Sequence, residues 1–578
     1  MSEGPASLPR GRAASVRRWP YLLLGLALLW FFPFQEQLNN PNENVRLYLT
    51  RALVEHGTAT IGWRVREGGR LVDRGLVAGE WGWVNDRALI CDEPGARAPS
   101  CTGRLLAAKA PGVSLLGVPP YLLLSAATRE LAGRTPSKAE SLRVLRAVVV
   151  TLPWLFFLVA LHRWLLRREW CTPDAAELTV LGLGLGSIAT PYALLFAGHT
   201  LGALLLGGAW LLLHEARARA WPTLAGGLLL GTTILVEYPL ALPAGAIGLL
   251  GLAFAGRGRW PRAAGLLLLG LLPPLGLLLG YHQVVLGSPF ATPYAFLENP
   301  AFVRDAAPGL HGIALPGARS LLLGLFSPQV GLFFFWPAAL LGLAGGVSLL
   351  RERETRLLGA GLLLVCLVFG YLLAAMPNLR KMLGWTVGPR YIVGVAPFLA
   401  IGLARAGALL AGRWPRAGSG LVRGLVLGGV VLCGVPALLY GTYPMSFRNP
   451  SFQLGIPLLL AGYWPHSVGT TCGLSGLAAA LPGLVGAAGV LVALAWGPRP
   501  SSARCSGAWR GLLATGTALL LLGLLSLPGR GAPSPDERRE ADWVRRRWEP
   551  PPSGIVVPAT PPRPRPAPAV ERSQGGSR

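Results

Sequence analysis

The sequence predicts an all-α polytopic membrane protein, and three observations lead there. Of the 578 residues, 52% are hydrophobic and 14% charged, a balance outside the range of soluble domains. Many apolar runs approach the roughly 20 residues that cross a bilayer. The basic residues behind the net charge of +26 sit in short tracts between those runs, where they act as topology signals. That distribution excludes nucleic acid as the partner. Arginine supplies nearly all of the charge, because Lys109, Lys138 and Lys381 are the only lysines.

Residues 1–18 form a basic, cytoplasmic start, with Arg10, Arg12, Arg17 and Arg18 ahead of the apolar Tyr21–Phe34. That run ends in Trp30-Phe31-Phe32-Pro33-Phe34 without a small-residue cleavage site, so it is expected to stay as an anchor. Residues 35–146 then make a large first extracytoplasmic loop, which holds a disproportionate share of the carboxylates. Asn39-Asn40-Pro41-Asn42-Glu43-Asn44 opens into a helical pattern, with Val45, Leu49, Ala52 and His56 on one face and Arg46, Thr50 and Glu55 elsewhere. Alternation at Ile61, Trp63 and Val65, followed by Leu71, predicts a small hairpin turned at Gly68-Gly69. Cys91 and Cys101, the only two of seven cysteines in one polar loop, are expected to form a disulfide if that loop lies outside the cytoplasm. No cysteine or histidine spacing suits a metal.

Lys109-Ala110-Pro111-Gly112 closes the polar stretch. The next apolar run, Gly112–Leu131, has Pro119-Pro120 at its middle, which removes backbone donors and predicts an interfacial or partly inserted segment. With no crossing there, the tracts from Arg163–Arg168 to Arg499–Arg510 place eighteen basic residues inside and the intervening loops only six outside. This is the arrangement that positive-inside bias favours, with Arg129, Arg134, Lys138, Arg143 and Arg146 as an external exception. Spans are expected to begin near Trp19, Ala147, Ala176, Leu201, Leu224, Leu240, Ala263, Leu332, Leu357, Tyr391, Leu421, Leu474 and Gly511, within a membrane domain of residues 19–527. Glu237-Tyr238-Pro239 divides the two shortest. Gly182-Leu183-Gly184-Leu185-Gly186 lacks the strand context of a nucleotide loop and is expected to serve helix packing. Residues 528–578 turn to Pro, Arg and Ser, so a largely disordered tail is expected, with one amphipathic piece at Asp536–Trp548.

The order of these motifs carries a resemblance. Asn42-Glu43 after the first span, a helix ending at His56-Gly57, Asn85-Asp86-Arg87 and Lys109-Ala110-Pro111-Gly112 are followed by Gly198-His199 and Glu237-Tyr238-Pro239. Phe326-Ser327-Pro328, Gly331-Leu332-Phe333 and Gly388-Pro389-Arg390-Tyr391 complete the set. Over roughly Trp19 to Leu410 the chain resembles the bacterial GT-C glycosyltransferases of the protein-mannosyltransferase and aminoarabinose-transferase type. The resemblance implies a GT-C-like bundle of about 13 transmembrane helices in the inner membrane. It also implies inverting transfer of a sugar from a polyprenyl-phosphate donor to a glycolipid or protein acceptor at the extracytoplasmic face.

Such transfer needs a proton acceptor beside the attacking hydroxyl and cations aimed at the departing phosphate. By the resemblance, Glu43 is the candidate base, although the family commonly carries an Asp beside this position. Lys109 and Arg390 are candidates for donor-phosphate binding. Asn42, Asp86, His199 and Glu237 are candidates for acceptor contacts or support; His199 stands where relatives often have a second carboxylate. Glu237, within the hydrophobic bundle, requires a function or an ion-pair partner. A divalent metal is compatible with this chemistry but has no ligand cluster in the sequence. Two rival readings use the same features: a flippase or transporter of lipid-linked sugars, and an inactive scaffold of the same fold.

Overall fold

The computed structural model describes residues 16–552 except 37–39, 80, 83, 217–218, 310–311, 377–384 and 498–503. Arg10, Arg12, Asn39, Lys381 and the chain beyond residue 552 lie outside the described residues. Helix α1 (Trp19–Trp30) leads to α2 (Pro41–Glu55). Asn40 caps α2 by accepting the Asn42 N–H at 3.1 Å, and Pro41 occupies its first position. Strands β1 (Thr60–Glu67), β2 (Arg70–Arg74), β3 (Arg87–Cys91) and β4 (Gly103–Ala107) precede α3 (Gly112–Ala132) and α4 (Lys138–Leu145). One wide turn over Arg146–Thr151 joins α4 to α5 (Leu152–Leu166).

The remaining long helices are α6 (Pro173–Leu185), α7 (Gly198–Ala216), α8 (Ala220–Val236), α9 (Ala241–Ala255), α10 (Trp260–Leu286), α11 (Pro300–Ala306), α12 (Ala318–Phe326), α13 (Ala339–Arg351) and α14 (Arg356–Ala374). They are followed by α15 (Ala396–Arg413), α16 (Ala417–Gly429), α17 (Gly476–Trp496), α18 (Arg504–Ser526) and α19 (Pro535–Arg546). Each of the thirteen apolar segments expected to span is helical. Among the described residues, eight helical stretches are long and apolar enough to cross a membrane, while Trp19–Trp30, Ala220–Val236 and Ala339–Arg351 are shorter apolar helices. The protein is therefore a multi-pass helical membrane protein, and length and composition alone do not establish thirteen crossings.

Two expectations about the first loop are corrected. The hairpin is half of a four-stranded antiparallel sheet ordered β2-β1-β4-β3. It turns at Gly68 and Gly69, whose φ values of +55° and +78° suit a tight hairpin, and β1 takes β4 on its other edge. Strands β3 and β4 are separated by eleven residues rather than by a two-residue turn, so no local hairpin signal marks them. Second, α2 is not amphipathic in its surroundings. Arg46 and Thr50 are as fully buried as Val45 and Ala52, because α3, the sheet and the bundle enclose the helix. Cys91 and Cys101 are joined in a disulfide between β3 and β4. Helix α3 runs unbroken through Pro119-Pro120 and leaves Leu122, Leu123 and Leu131 exposed.

Glycine sets the closest helix approaches. A Cβ at Gly345 would lie 1.8 Å from the Gly402 carbonyl oxygen, and one at Gly402 would lie 2.0 Å from that of Gly342, so α13 and α15 touch backbone to backbone. The same holds for α8 and α10, where a Cβ at Gly227 would meet the Leu267 carbonyl oxygen at 2.2 Å. Gly182 and Gly186 pack on Val426 and Val430 of the α16 region, so the Gly182–Gly186 run serves helix packing as expected. Gly345→Val is expected to cost about 1–3 kcal/mol through overpacking and to lower the melting temperature of purified protein. Gly412→Val, at a site with nothing within 4 Å, is expected to leave it unchanged.

Candidate active site

Helix α2 is held by two buried ion pairs of opposite polarity one turn apart. The Glu43 carboxylate accepts from Arg146 Nε at 2.7 Å and Nη2 at 2.6 Å, and from the Phe196 backbone N–H at 2.6 Å. Arg146 also donates to the Pro33 carbonyl at 3.1 Å and stacks over Phe32. On the next turn, Arg46 Nη2 donates to Glu237 Oε2 at 3.1 Å, while Nη1 donates to the Asn42 carbonyl at 2.8 Å and to the Asn42 side chain. Thr50 and Ser114 both donate to the Arg46 carbonyl at 3.0 Å and so fix α3 against α2. Gly198, at the start of α7, has no alternative residue. A Cβ there would lie 2.2 Å from Glu237 Oε2.

Between α2, the sheet, the start of α7 and the chain around Arg390 lies a cavity of about 470 Å³. Its polar lining includes Asn42, Asp86, His199, Asp305 and Arg390, and its aromatic lining includes Trp385 and Trp543. Lys109, after β4, reaches Asp86 with Nζ 3.4 Å from Oδ1. Gly112 lets that segment abut α8, since a Cβ would lie 2.6 Å from the Leu235 carbonyl oxygen. Arg390 donates to the Tyr391 hydroxyl at 3.2 Å, and its buried Nε has no hydrogen-bond partner. His199 is buried edge-on to Tyr192 and Tyr391, with ring centroids 5.1 and 6.1 Å away. A volume of this size falls in the range of small-molecule sites, and the lining brings carboxylates and a guanidinium to one space.

The structure thus gathers Asn42, Asp86, His199 and Arg390 around one cavity, with Lys109 paired to Asp86 just behind. It sets Glu43 and Glu237 apart. Glu43 is 1% exposed, both of its oxygens are engaged, and it borders a small pocket of about 20 Å³, enough for roughly one water. It does not line the larger cavity. The physical reason is Arg146, which the sequence presented only as an external topology exception and which takes Glu43 as its counter-charge. Two other members of that exception also have partners: Arg134 pairs with Glu140, and buried Lys138 donates to the Trp81 carbonyl at 3.1 Å. Asp305, Trp385 and Trp543 were missed. Asp305 lies on the short helix α11 and Trp385 in a loop, neither with a pattern that singles it out, whereas Trp543 belongs to the amphipathic piece that the sequence did single out.

A four-charge cluster positions the wall that carries Asp305. Arg64 donates to Asp73 at 2.7 Å and to Glu298 at 2.6 Å, and Arg87 pairs with the same two carboxylates at 2.8 and 2.7 Å. The Glu298 N–H donates to the Arg87 carbonyl at 3.1 Å, which fastens the chain before α11 to the sheet. Burial pushes the Asp73 carboxyl up, but Arg64 and Arg87 outweigh it and hold it below its ordinary value. Among the described residues, no three His, Cys, Asp or Glu side chains gather to hold a metal ion, and Asp86 pairs with Lys109.

Two outcomes test this geometry. Arg146→Met alone leaves Glu43 charged and buried and is expected to cost about 3–5 kcal/mol, whereas Glu43→Leu with Arg146→Met is expected to recover much of that loss in thermal melts. For Asp73 the depressed pKa means that its stabilisation is present above the unfolded value and is lost as pH falls through the folded one, below about pH 4. Hydrogen exchange of residues 293–306, corrected for intrinsic rate, is therefore expected to lose protection below that pH, and Asp73→Asn to lose it at neutral pH.

No protein-family model matches the chain, and no curated protein matches it. Among solved structures it is similar to ArnT from Cupriavidus metallidurans in the apo state, at 16% identity over 91% of this chain and 78% of that one, with a TM-score of 0.42. It is also similar to the arabinosyltransferase EmbB from Mycobacterium smegmatis, at 13% identity over 91% and 42%, with a TM-score of 0.40. A third is the archaeal oligosaccharyltransferase AglB from Archaeoglobus fulgidus, at 12% identity over 91% and 57%, with a TM-score of 0.36. Likeness at this level leaves the role of every residue to be argued from the cavity itself.

Proposed function

We propose that the protein is a membrane glycosyltransferase. It moves a sugar from a polyprenyl-phosphate donor to a hydroxyl of an envelope glycolipid or protein at the extracytoplasmic face. The observation that carries the proposal is the 470 Å³ cavity in which Asp86 and Arg390 meet with Lys109 paired at its edge. A glycosyl phosphate splits into the same two needs. Its leaving group gains negative charge and is stabilised by fixed cations, and its acceptor must lose a proton to a base within hydrogen-bond reach.

In this reading Arg390, on the cavity lining, binds the donor phosphate together with Lys109 Nζ. The acceptor oxygen attacks the anomeric carbon from the opposite side. The bond from that carbon to the phosphate oxygen breaks, polyprenyl phosphate departs with the bonding pair, and the acceptor proton passes to an Asp86 carboxylate oxygen. Configuration inverts in this single displacement. Asp86 takes the base role that the sequence suggested for Glu43, because Asp86 lines the cavity whereas Glu43 lies off its lining and pairs with Arg146. Asn42, held by Arg46, and His199 on the same lining contact the sugar hydroxyls. The isoprenoid tail lies among the apolar helices, and the membrane supplies the lipid-linked donor.

The test is transfer of radiolabelled sugar from synthetic undecaprenyl-phosphate sugars to delipidated envelope glycolipids and proteins by purified protein in detergent. No gradient exists there, so transfer excludes a pure flippase. Asp86→Asn is expected to lower kcat by roughly 10²-fold or more while leaving donor affinity unchanged. Arg390→Gln is expected to weaken donor binding by about tenfold or more. Wild-type turnover in Asp86→Asn would remove the base, and no transfer from any donor would remove the reaction.

A further inference from the structure

The polar groups of the cavity leave two of its lining side chains unexplained. Trp385 is 40% exposed and has a φ of +61°, the only positive φ at a non-glycine among the described residues. A bulky side chain in that backbone region is strained and persists only where the surroundings enforce it. Its ring faces Trp543, with centroids 5.7 Å apart and planes at 71°. Both rings line the cavity that also holds Asp86, Asp305 and Arg390.

Trp543 comes from α19, in the segment after the last long apolar helix, and other residues dock that helix. Val544 is fully buried. Trp548 is 3% exposed, donates Nε1–H to the Trp464 carbonyl at 2.9 Å, and lies edge-on to Tyr440 and Tyr463. Glu537 accepts from Gln453 at 3.1 Å, and Glu540 from the Ser446 N–H at 3.2 Å. With the helix fixed this way, Trp543 is free to serve the cavity. Arg547 covers one part of its ring at 4.7 Å and Trp385 meets it at a steep angle, so the two indoles make a corner. They are too close to sandwich a ring between them.

We propose that Trp385 and Trp543 form an aromatic corner that binds a hexopyranose ring of the substrate, with the C–H face of the sugar on an indole and its hydroxyls turned to the carboxylates. This rests on reading the cavity as a glycosyltransferase site. A pyranose is the ligand class that suits both linings, because it presents an apolar face of axial hydrogens and a polar rim in one rigid ring. Indole provides the matching flat, polarisable surface. An isoprenoid chain would use the rings but offers no hydrogen-bonding group to the polar side of the lining. The tail after the bundle thereby becomes part of the specificity apparatus.

Saturation-transfer NMR with full-length protein in lipid nanodiscs, free of glycoside detergent, tests the corner against methyl glycosides of mannose, glucose, galactose and N-acetylglucosamine. At least one is expected to receive saturation at its ring C–H protons. That signal is expected to fall about fivefold or more in Trp543→Leu and Trp385→Leu and to persist in Trp543→Phe, which keeps a flat ring. Melting temperatures of the Leu variants near wild type, as anchoring by Val544 and Trp548 predicts, assign the loss to the missing ring. The Phe variant separates the same effects if a Leu variant unfolds. Absence of saturation for every glycoside, undiminished signal in the Leu variants, or equal weakening of sugar-free undecaprenyl phosphate would overturn the corner. In the transfer assay, a raised KM for the acceptor alone places the bound ring on the acceptor, and for the donor alone on the donor. Unchanged KM values in Trp543→Leu with normal wild-type transfer sink the corner and spare the transferase. Glycoside binding lost in Trp543→Leu, with no transfer by wild type, does the reverse.

Discussion

Two charge pairs on one short helix organise the protein. Glu43 reaches Arg146 at the head of α5, and Arg46 reaches Glu237 at the end of α8. Taking four ionised groups out of water costs several kcal/mol per ion. The cost is tolerable only because each charge meets its opposite within hydrogen-bond distance and most remaining polar atoms also find partners. The alternating signs matter. A carboxylate and a guanidinium one turn apart match only one placement of α2 between the two helices, so the helix is fixed in rotation as well as depth. Asn42 and the cavity wall behind it inherit that placement.

The cavity is assembled from segments that no single stretch of sequence contains. Asp86 and Lys109 arrive on loops flanking β3 and β4, His199 at the start of α7, Asp305 on α11 and Arg390 ahead of α15. Each is secured by something other than the site itself: the Gly112 and Gly198 close approaches, the Arg64–Asp73–Arg87–Glu298 cluster, and the packing of α19 through Trp548. A site held this way keeps charged groups such as Arg390 beside a space fit for a substrate. Preorganised charge of this kind is what stabilises a leaving phosphate.

Much of this was legible in the sequence, for identifiable reasons. Thirteen apolar segments were readable because leucine-rich runs and arginine tracts are strong local signals, and all are helical. The Gly68-Gly69 turn and the pairing of Cys91 with Cys101 were readable because each depends on few residues close in the chain. Asn42, Asp86, His199 and Arg390 could be named from motif order, and they line one cavity. The partner of Glu43 could not be read. Nothing local distinguishes a carboxylate that meets an acceptor from one that meets an arginine 103 positions away, and Arg146 also served as a plausible topology signal. The burial of Arg46 and Thr50 was hidden for a related reason: helical periodicity describes one face against one core, and α2 has neighbours on every side. A charge inside a run such as Arg146-Ala147-Val148-Val149-Val150 is the clue that could have been used, since it demands a partner.

The account stands on the cavity, with Arg390 and Lys109 as the seat of a lipid phosphate and Asp86 beside it. The most direct measurement is a cryo-EM structure of the protein in nanodiscs with undecaprenyl phosphate. The account predicts phosphate density in contact with Arg390 and Lys109, within reach of Asp86, and an intact Glu43–Arg146 pair. Phosphate bound outside this cavity, or bound by Arg146 with Glu43 displaced, would contradict it.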